Sequence, residues 1–480
     1  MKKTLVIFAV MLALVACNKE TIEIDNPVPM VETNGIKVNL TISRADEFGA
    51  TKATVKSDWA DNDVVFVFFK GVAAPKYLEM KYDGGTWTST AMNGLDISDL
   101  SGAANKKMTA IYLPYGSTAT VAASEGNFIF SDIAYSGYFL KAELVDYTVE
   151  GGVLSGTLSM SAPVLSSDSD KLIHFDISGF TSGHNYKLYQ DYVKPLTFTS
   201  VSADGVISKN EGAMGAAITG YEDGSMMSFS GILDASAVGN AVDYQFSIDD
   251  LTSSILYTRD AGTKTLSTSK YIGIGAINNA EVWNALEYVD LGLPSGVRWA
   301  KNNVGAVSET DFGNYYSWGE TETKSTYNWS TYKWCDGSRY SQLKYNNQNT
   351  FGTVDDKTTL DLEDDVAHVM WKGSWRMPTM ADQDELRSNC TWEWTTRNEV
   401  NGCLVTSNIE GYTDRSIFLP ANGYQYNTEF YDVGSNGRYW SSSLDTTYPD
   451  DAAILVFYEG TVKWSASNRD AGLTVRPVCP

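Results

Sequence analysis

The residues best suited to acid–base chemistry lie in the segment SWRMPTMADQDEL, Ser374 to Leu386. Glu385 could serve as a general acid or base if a second carboxylate faced it. The upstream acids that could supply this carboxylate are Asp361, Glu363, Asp364 and Asp365. A catalytic pair is defined by the distance between its carboxylates and by a shifted pKa, and the sequence shows neither.

The same acids have a structural explanation at the start of a helix. Thr379 and Asp382 have the spacing of a capping box, in which a hydroxyl and a carboxylate bind backbone amides of the first helical turn. Asp382 and Glu385 also favour the positive end of the helix dipole. We therefore predict a structural helix in the segment that begins at Pro378, and no enzymatic activity.

Metal and disulfide chemistry are limited by composition. The 3 histidines lie far apart and the chain has no CxxC pair, so we predict neither a metal site nor a cofactor. Besides Cys17, four cysteines remain, and in an exported protein they allow zero to two disulfides, whose pairing the sequence leaves open. They are Cys335, Cys390, Cys403 and Cys479.

The first residues have the features of an export signal. Lys2 and Lys3 precede an apolar stretch, Leu5 to Leu14, that is shorter than the roughly 20 residues of a permanent membrane span. The ending LVAC resembles a bacterial lipobox, which implies removal of residues 1–16 and diacylation of Cys17. The alternative is an ordinary secretory signal with a chance cysteine. Residues 17–35 are predicted to form a polar spacer next to the membrane.

The charge and the apolar content exclude several classes of protein. A net charge of -23 argues against nucleic acid or anionic lipid as a partner, because both require a basic surface. With 43% hydrophobic residues the chain can bury substantial cores, so extensive disorder is excluded. No second apolar segment is long enough to span a bilayer, which predicts an ectodomain held by lipid.

The pattern up to about residue 280 is that of short strands. Residues 36 to 43 (IKVNLTIS) alternate apolar and polar side chains, and residues 63 to 69 (DVVFVFF) predict a core strand. The segment YLEMKYDGGTW predicts a hairpin whose glycines supply positive φ. We predict two β-sandwich domains, 36–147 and 148–280.

The composition changes after Ala276. All but two of the 13 tryptophans follow this point, the exceptions being Trp59 and Trp87. Helical patterns also become clear there, first in the segment from Glu363 to Trp371. We therefore predict a separate C-terminal domain after this point.

That domain resembles the Fibrobacter major paralogous (FISUMP) domain. The matching motifs, in order, are YVDLGLPSG at 288–296, VGA at 304–306, WGE at 318–320, GSWRMPT at 373–379, YWSSS at 439–443 and VRPV at 475–478. The RMPT and VRPV elements are similar to those of formylglycine-generating enzymes. This similarity implies an α+β, C-type-lectin-like fold over residues 287–480, whose two ends pair as strands. The calcium-binding triplets of lectins and the cysteine pair of the oxidases are missing, so the resemblance implies neither of those activities.

The preceding part resembles fimbrillin-family lipoproteins. The resemblance rests on the lipobox, the alternating strand that ends at Arg44, the segment TKAT at 51–54, Trp59 and the strands described above. It implies tandem sandwiches that can assemble by donating a strand to a neighbour. Arg44 lies where such proteins can be cut by a trypsin-like protease, although it could also be a plain surface arginine. Cutting there would detach the lipid.

Aromatic side chains in polar stretches are the candidates for ligand binding, because their faces stack on sugar rings. These candidates are Trp318, Trp329, Trp334, Tyr424, Tyr426, Tyr431 and Trp464, whereas Trp299, Trp375 and Trp440 are predicted to lie in the core. We predict a lipid-anchored protein of the outer membrane and cell surface, acting as an adhesin or as a tip or accessory subunit of a pilus. Its partners would be other pilin-like subunits and a glycan or surface protein. A surface glycan-degrading hydrolase and a purely structural pilus subunit are the alternatives.

Overall fold

The computed structural model describes residues 32–33, 36–44, 59–102, 106–113, 120–131, 139–167, 170–234, 242–264, 271–278 and 283–480. The signal segment, Cys17 and most of the spacer lie outside the described residues, so the predictions about them stay predictions. The fold is mainly β, as predicted. Within the ranges described, no helix has the length and apolar character needed to cross a membrane.

The first part of the chain builds one long sheet and a short helix, α1 (Ile97–Ser101). Its strands are β1 (Glu32–Thr33), β2 (Ile36–Arg44), β3 (Val64–Phe69), β4 (Leu78–Asp83), β5 (Thr86–Ala91), β6 (Lys107–Tyr112), β7 (Thr120–Ser124), β8 (Asn127–Ser131), β9 (Leu140–Glu150) and β10 (Val153–Met160). All but β7 and β8 join in the order β1-β2-β10-β9-β6-β3-β4-β5.

Strand β2 has the alternation that the sequence predicts. Its apolar residues Ile36, Val38, Leu40 and Ile42 are buried in the first core, while the residues between them are partly or fully exposed. Strand β10 runs parallel to β2 over its whole length, from Lys37 to Arg44. Strand β3 is buried on both faces, because Val65 and Val67 belong to the first core and Phe66 and Phe68 to a second one.

The predicted boundary between residues 147 and 148 is wrong, because it falls inside β9. Gly151 and Gly152 take positive φ values of 57° and 81°, and they form a tight hairpin that returns β10 antiparallel to β9. This hairpin therefore keeps residues 153–160 in the first sheet.

The middle part contains two facing sheets. Its strands are β11 (Lys171–Ser178), β12 (Tyr186–Tyr189), β13 (Val193–Lys194), β14 (Leu196–Val201), β15 (Ile207–Glu211), β16 (Ile218–Thr219), β17 (Tyr221–Asp223), β18 (Met226–Leu233), β19 (Val242–Asp250), β20 (Ile255–Lys264) and β21 (Tyr271–Ala276). One sheet has the order β13-β18-β11-β21, and the other begins β16-β12-β19-β20. Strands β14 and β15 instead join β7 and β8, so the second core is shared between the first and middle parts.

The C-terminal part is α+β, as predicted. It contains β22 (Asn284–Val289), β23 (Arg298–Ala300), α2 (Val366–Trp371), α3 (Met380–Asn389), β24 (Cys390–Arg397), β25 (Val400–Ser407), β26 (Ser416–Pro420), β27 (Tyr424–Tyr426), β28 (Glu429–Tyr431), β29 (Gly437–Leu444), β30 (Asp451–Tyr458), β31 (Thr461–Asn468) and β32 (Val478–Cys479). Two 3-10 turns span Asn349–Phe351 and Leu362–Asp364. Its two ends pair through β23 and β32, the arrangement that the sequence resemblance implies.

This part is joined to the middle part by a continuous sheet. Strand β22 pairs with β20 on one side and with β23 on the other, which gives the order β16-β12-β19-β20-β22-β23-β32. The four C-terminal cysteines are buried free thiols. They form no disulfide with one another, which is the lower end of the zero to two disulfides that the sequence allows. Burial raises the pKa of Cys390 to about 11 and that of Cys403 to about 12, so both stay protonated at neutral pH.

Candidate ligand-binding surface

The segment that begins at Pro378 is a capped structural helix. Thr379 Oγ1 accepts a hydrogen bond from the Asp382 amide at 3.2 Å, and the Asp382 carboxylate accepts one from the Thr379 amide at 2.7 Å. Arg376 Nη1 also lies 2.7 Å from this carboxylate. Burial opposes ionisation of Asp382, but Arg376 and Thr379 outweigh it and lower its pKa.

The two acids with the best claim to catalysis each bind nearby groups of the scaffold. Glu385 accepts hydrogen bonds from the amide and the hydroxyl of Ser295, at 2.9 and 2.5 Å. Asp365 is buried at the start of α2 and accepts the amides of His368 and Met377, at 3.1 and 2.8 Å. Burial raises the pKa of Asp365. These partners give both acids a structural role.

The remaining acids of that region surround a lysine. Asp361, Glu363 and Asp364 bring their oxygens within 4.8 Å of one another. Lys344 Nζ lies 2.7, 3.2 and 2.7 Å from these three carboxylates. Its pKa is raised because these hydrogen bonds outweigh the effect of burial. The ammonium group of Lys344 thus supplies the positive charge that these three carboxylates share.

A Ser–His–Asp arrangement that the sequence analysis did not predict lies inside the middle part. His174 Nδ1 is 2.8 Å from Ser230 Oγ, and His174 Nε2 is 3.0 Å from Asp176 Oδ1. Ser228 Oγ donates to the same Asp176 oxygen at 2.6 Å. The residue types are those of a hydrolase triad, but the ring nitrogens are exchanged, since in a triad Nε2 faces the serine and Nδ1 the aspartate. All four side chains are also at most 2% exposed, so the arrangement is closed to solvent. The network satisfies buried polar groups on one face of β11 and β18.

Trp318 is not a surface aromatic, contrary to the prediction. Its indole is fully buried and donates Nε1–H to the Ser441 carbonyl at 2.8 Å. Trp334 is half-buried, donates to the Gly319 carbonyl at 2.7 Å and is covered by Lys333, whose Nζ is 4.3 Å from the ring centroid. Trp464 is 51% exposed, on β31 and apart from the other candidates. Trp299, Trp375 and Trp440 are buried, which confirms their assignment to the core.

Three of the predicted residues converge on the β27–β28 hairpin. Tyr424 lies opposite Tyr431 and Tyr426 lies opposite Glu429, so these four side chains share one face, which we call the tyrosine face. The rings of Tyr424 and Tyr431 stack with their centroids 5.3 Å apart and 25° between planes. Tyr426 and Tyr431 are 40% and 43% exposed.

Charged groups hold this face in place. The guanidinium of Arg438 lies 4.4 Å from the centroid of the Tyr424 ring, and its Nη2 donates to Asp432 Oδ2 at 2.8 Å. Tyr424 is therefore held between Tyr431 on one side and a cation that is itself paired. The outer rings, Tyr426 and Tyr431, remain open to solvent beside the carboxylates of Glu429 and Asp432.

The loop that carries Trp329 packs against the hairpin turn. Asn427 takes a φ of 51° in the turn, a conformation that asparagine tolerates, and its backbone pairs with Tyr327 at 2.9 and 2.8 Å. Asn328 Nδ2 also donates to Asn427 Oδ1 at 2.9 Å. Trp329 itself is half-buried and meets Tyr332 edge to face at 5.6 Å. It therefore lies near the tyrosine face without joining its ring stack.

Phe430 is an exposed aromatic that sequence reasoning missed. It is 56% exposed on the opposite face of the hairpin, where its ring contacts Tyr315 with centroids 5.1 Å apart. Phe430 lies between Glu429 and Tyr431 in a short polar hairpin, and this position could have predicted its exposure on the opposite face. The hairpin thus presents aromatic rings on both faces, with acceptors and donors beside them. Such a surface can stack on a sugar ring and hydrogen-bond its hydroxyls.

No protein-family model and no curated protein matches the chain. A fimbrial protein from Bacteroides ovatus ATCC 8483 matches with 12% identity and a TM-score of 0.22, over 93% of this chain and 99% of that one. The fimbrial anchor protein Mfa2 from Porphyromonas gingivalis matches with 8% identity and a TM-score of 0.21, over 55% of this chain and 96% of that one. Similarity at this level carries no functional argument.

Proposed function

We propose that the chain is a lipid-anchored cell-surface adhesin, or a tip or accessory subunit of a pilus, whose C-terminal part binds a glycan without modifying it. The observation that carries this proposal is the convergence of Tyr424, Tyr426 and Tyr431 on one exposed face. The LVAC sequence that ends at Cys17 and the β-rich parts that follow support a surface location.

The affinity of one such face for a sugar is modest. Aromatic contacts contribute about 0.5–1.5 kcal/mol each beyond the apolar area that they bury. A face of two open tyrosines, Tyr426 and Tyr431, therefore suits weak binding that many copies on a cell surface would strengthen. Glu429 and Asp432 would add hydrogen bonds to sugar hydroxyls.

Glycan-array binding of the full chain tests this proposal. Tyr426→Ala and Tyr431→Ala should each lose most of the signal, because each removes one stacking surface from the edge of the hairpin. Tyr448→Ala is the matched control, since Tyr448 is 56% exposed but lies between β29 and β30. Equal loss of signal in all three variants would contradict a specific role of the tyrosine face.

The two alternative functions give different results in the same assay. A hydrolase would release sugar from bound glycans, and Glu385→Gln or Asp365→Asn would then abolish release while binding persisted. We expect no release by the wild-type chain, because both carboxylates bind scaffold groups. A blank array with a folded chain would favour a purely structural subunit.

Anchoring is tested at the cysteine. Cys17→Ser removes the thiol that would carry the lipid, so we expect the chain to leave the membrane fraction. Persistent membrane association of this variant would contradict lipid anchoring.

We also propose that a trypsin-like cut after Arg44, which would release a molecule from its lipid anchor, prepares the released chain to accept a strand from another subunit. Arg44 ends β2, and that strand buries Ile36, Val38, Leu40 and Ile42 alongside β10. Loss of β2 would expose an apolar groove and one edge of β10, which an extended segment of a neighbour could fill. Arg44 is half-buried, with its guanidinium 5.6 Å from the Trp59 ring, so cutting would require local opening of the strand end.

Limited proteolysis followed by mass spectrometry tests the cut. The expected product begins at Ala45 and forms larger species on a sizing column. Arg44→Ala should abolish both results, whereas Arg415→Ala, which removes an arginine from a surface turn, should change neither. Assembly by uncut Arg44→Ala protein would contradict the proposal.

A further inference from the structure

The tyrosine face carries one negative charge that its own segment does not neutralise. Residues 424–438 contain three charged side chains, Glu429, Asp432 and Arg438. Arg438 Nη2 donates to Asp432 Oδ2 at 2.8 Å, so these two charges compensate each other. Glu429 is exposed, and among the described residues its carboxylate accepts a hydrogen bond only from the Thr428 hydroxyl, at 3.2 Å. The charge of Glu429 is therefore left without a cation of its own.

The lysines of the neighbouring loop are bound to other acids. The loop that carries Trp329 packs against the hairpin turn and is flanked by Lys324 and Lys333. Lys324 Nζ lies 2.9 Å from the carboxylate of Glu320, and Lys333 Nζ lies 3.5 Å from that of Asp364. The chain as a whole has a net charge of -23. The electrostatic potential at the tyrosine face thus favours a positively charged ligand and opposes an acidic sugar.

The position of Glu429 places its charge next to both open rings. Glu429 lies directly opposite Tyr426, and Tyr431 is the next residue on the same face of β28. The rings of Tyr431 and Tyr424 stack with only 25° between their planes, so they do not form the perpendicular walls of a cage around a small cation. A flat ring beside a carboxylate instead suits a sugar ring that carries an ammonium group.

We propose that the tyrosine face selects amino sugars, whose free 2-amino group is protonated, over N-acetylated, neutral and acidic sugars. This inference rests on the proposed function of the face as a glycan-binding surface. The apolar side of the sugar stacks on Tyr426 or Tyr431, and its ammonium group pairs with Glu429 at the edge of the rings. One exposed cation–π contact and one surface ion pair together correspond to a preference of roughly tenfold.

Two hexasaccharides that differ only in N-acetylation test this selectivity. One is a glucosamine hexamer with free amino groups, and the other is its fully N-acetylated form. Binding of the full chain to each immobilised hexasaccharide is measured slightly below neutral pH, where the amines are protonated. The free amino form should bind about tenfold more tightly, and this ratio should shrink as NaCl is added, because salt screens exposed charges.

Glu429→Gln identifies the group that reads the charge. This variant removes the negative charge and keeps the size of the side chain, so the ratio should fall to about threefold, the part that the cation–π contact supplies. Glu459→Gln is the matched control, since Glu459 is an exposed glutamate beside Tyr458 in the turn between β30 and β31. It changes the net charge equally and should keep the wild-type ratio.

The outcomes separate this inference from the function on which it rests. Equal binding of the two hexasaccharides, or an unchanged ratio in Glu429→Gln, overturns the amino-sugar preference and leaves glycan binding in place. A hexalysine peptide that competes as well as the glucosamine hexamer overturns it too, because the face would then read charge without the sugar ring. Failure to bind either hexasaccharide overturns this inference alone if other glycans on the array are bound, and both proposals if the array is blank.

Discussion

Trp318 and Tyr426 show that aromatic residues of one domain can serve opposite purposes. Trp318→Phe should lower the free energy of unfolding by about 2–3 kcal/mol, because it leaves a cavity and an unsatisfied Ser441 carbonyl. It should leave glycan binding unchanged. Tyr426→Ala should do the reverse, because its ring is exposed. Urea unfolding and the array measure the two effects, and a loss of binding in Trp318→Phe at retained stability would contradict the buried position.

Asp470 should make the protein less stable as the pH rises, which is the opposite of the usual effect of a carboxylate with a lowered pKa. Burial first, then Asp451, raise the pKa of Asp470 from 3.8 to about 7, while Lys324 and Arg339 oppose the shift. Burial similarly raises the pKa of Asp451 to about 6. The folded state then binds more protons than the unfolded state between about pH 4 and pH 7, so stability falls as pH rises through this window.

The melting midpoint should therefore increase as the pH is lowered from about 8 to about 5. Asp470→Asn removes the titrating group and should reduce this increase. The Cys335 thiol interacts with Asp470 but stays protonated over this range, because burial raises its pKa. A midpoint in Asp470→Asn with the pH dependence of the wild type would contradict this assignment.

The sequence could identify exposed aromatics only where their neighbours in the chain decide their exposure. Tyr424, Tyr426 and Tyr431 lie in a short polar hairpin, so their polar neighbours correctly indicate a surface. The neighbours of Trp318 are equally polar, but its partner Ser441 is 123 residues away in the chain. Burial at such a position depends on tertiary contacts that local composition does not contain.

At the scale of elements, the capping box of α3 gives a sharp prediction. Thr379→Ala should lower the free energy of unfolding by about 1 kcal/mol, because the Asp382 amide loses its acceptor. Thr379→Ser keeps the hydroxyl and should restore most of the stability. Ser388→Ala is the matched control, since Ser388 is an exposed hydroxyl residue in the last turn of the same helix. A chemical denaturation series measures these differences, and equal costs at both positions would exclude a capping role.

The sequence predicts which segments form strands, but it does not predict which strands pair with each other. The alternation in residues 36–43 specifies a half-buried strand and even its buried face. It does not specify that the strand pairs in parallel with β10, more than a hundred residues later. The predicted boundary between residues 147 and 148 therefore falls inside β9, because the number of strands alone does not show which strands share a sheet.

At the scale of the whole molecule, the middle and C-terminal parts are joined by a buried ion pair as well as by a sheet. Arg298 of β23 pairs with Asp249 of β19, and Tyr288 of β22 donates its hydroxyl to Asp249 at 2.8 Å. Burial raises the pKa of Asp249, although Arg298 opposes it. Gly373 approaches β19 so closely that a side chain there would meet Ser247 Oγ at 1.9 Å. The segments around Arg298 and Gly373 are thus held against β19 by an ion pair and by close packing as well as by the sheet.

This joint predicts that the two parts unfold together. Arg298→Met should lower the free energy of unfolding by about 3–5 kcal/mol, because it leaves the buried carboxylate of Asp249 without its cation. The double variant Arg298→Met with Asp249→Leu removes both charges and should recover much of that loss. Differential scanning calorimetry should show one transition for the two parts in the wild type and two in Arg298→Met. A single unshifted transition in Arg298→Met would mean that the sheet alone couples them and that the ion pair contributes nothing.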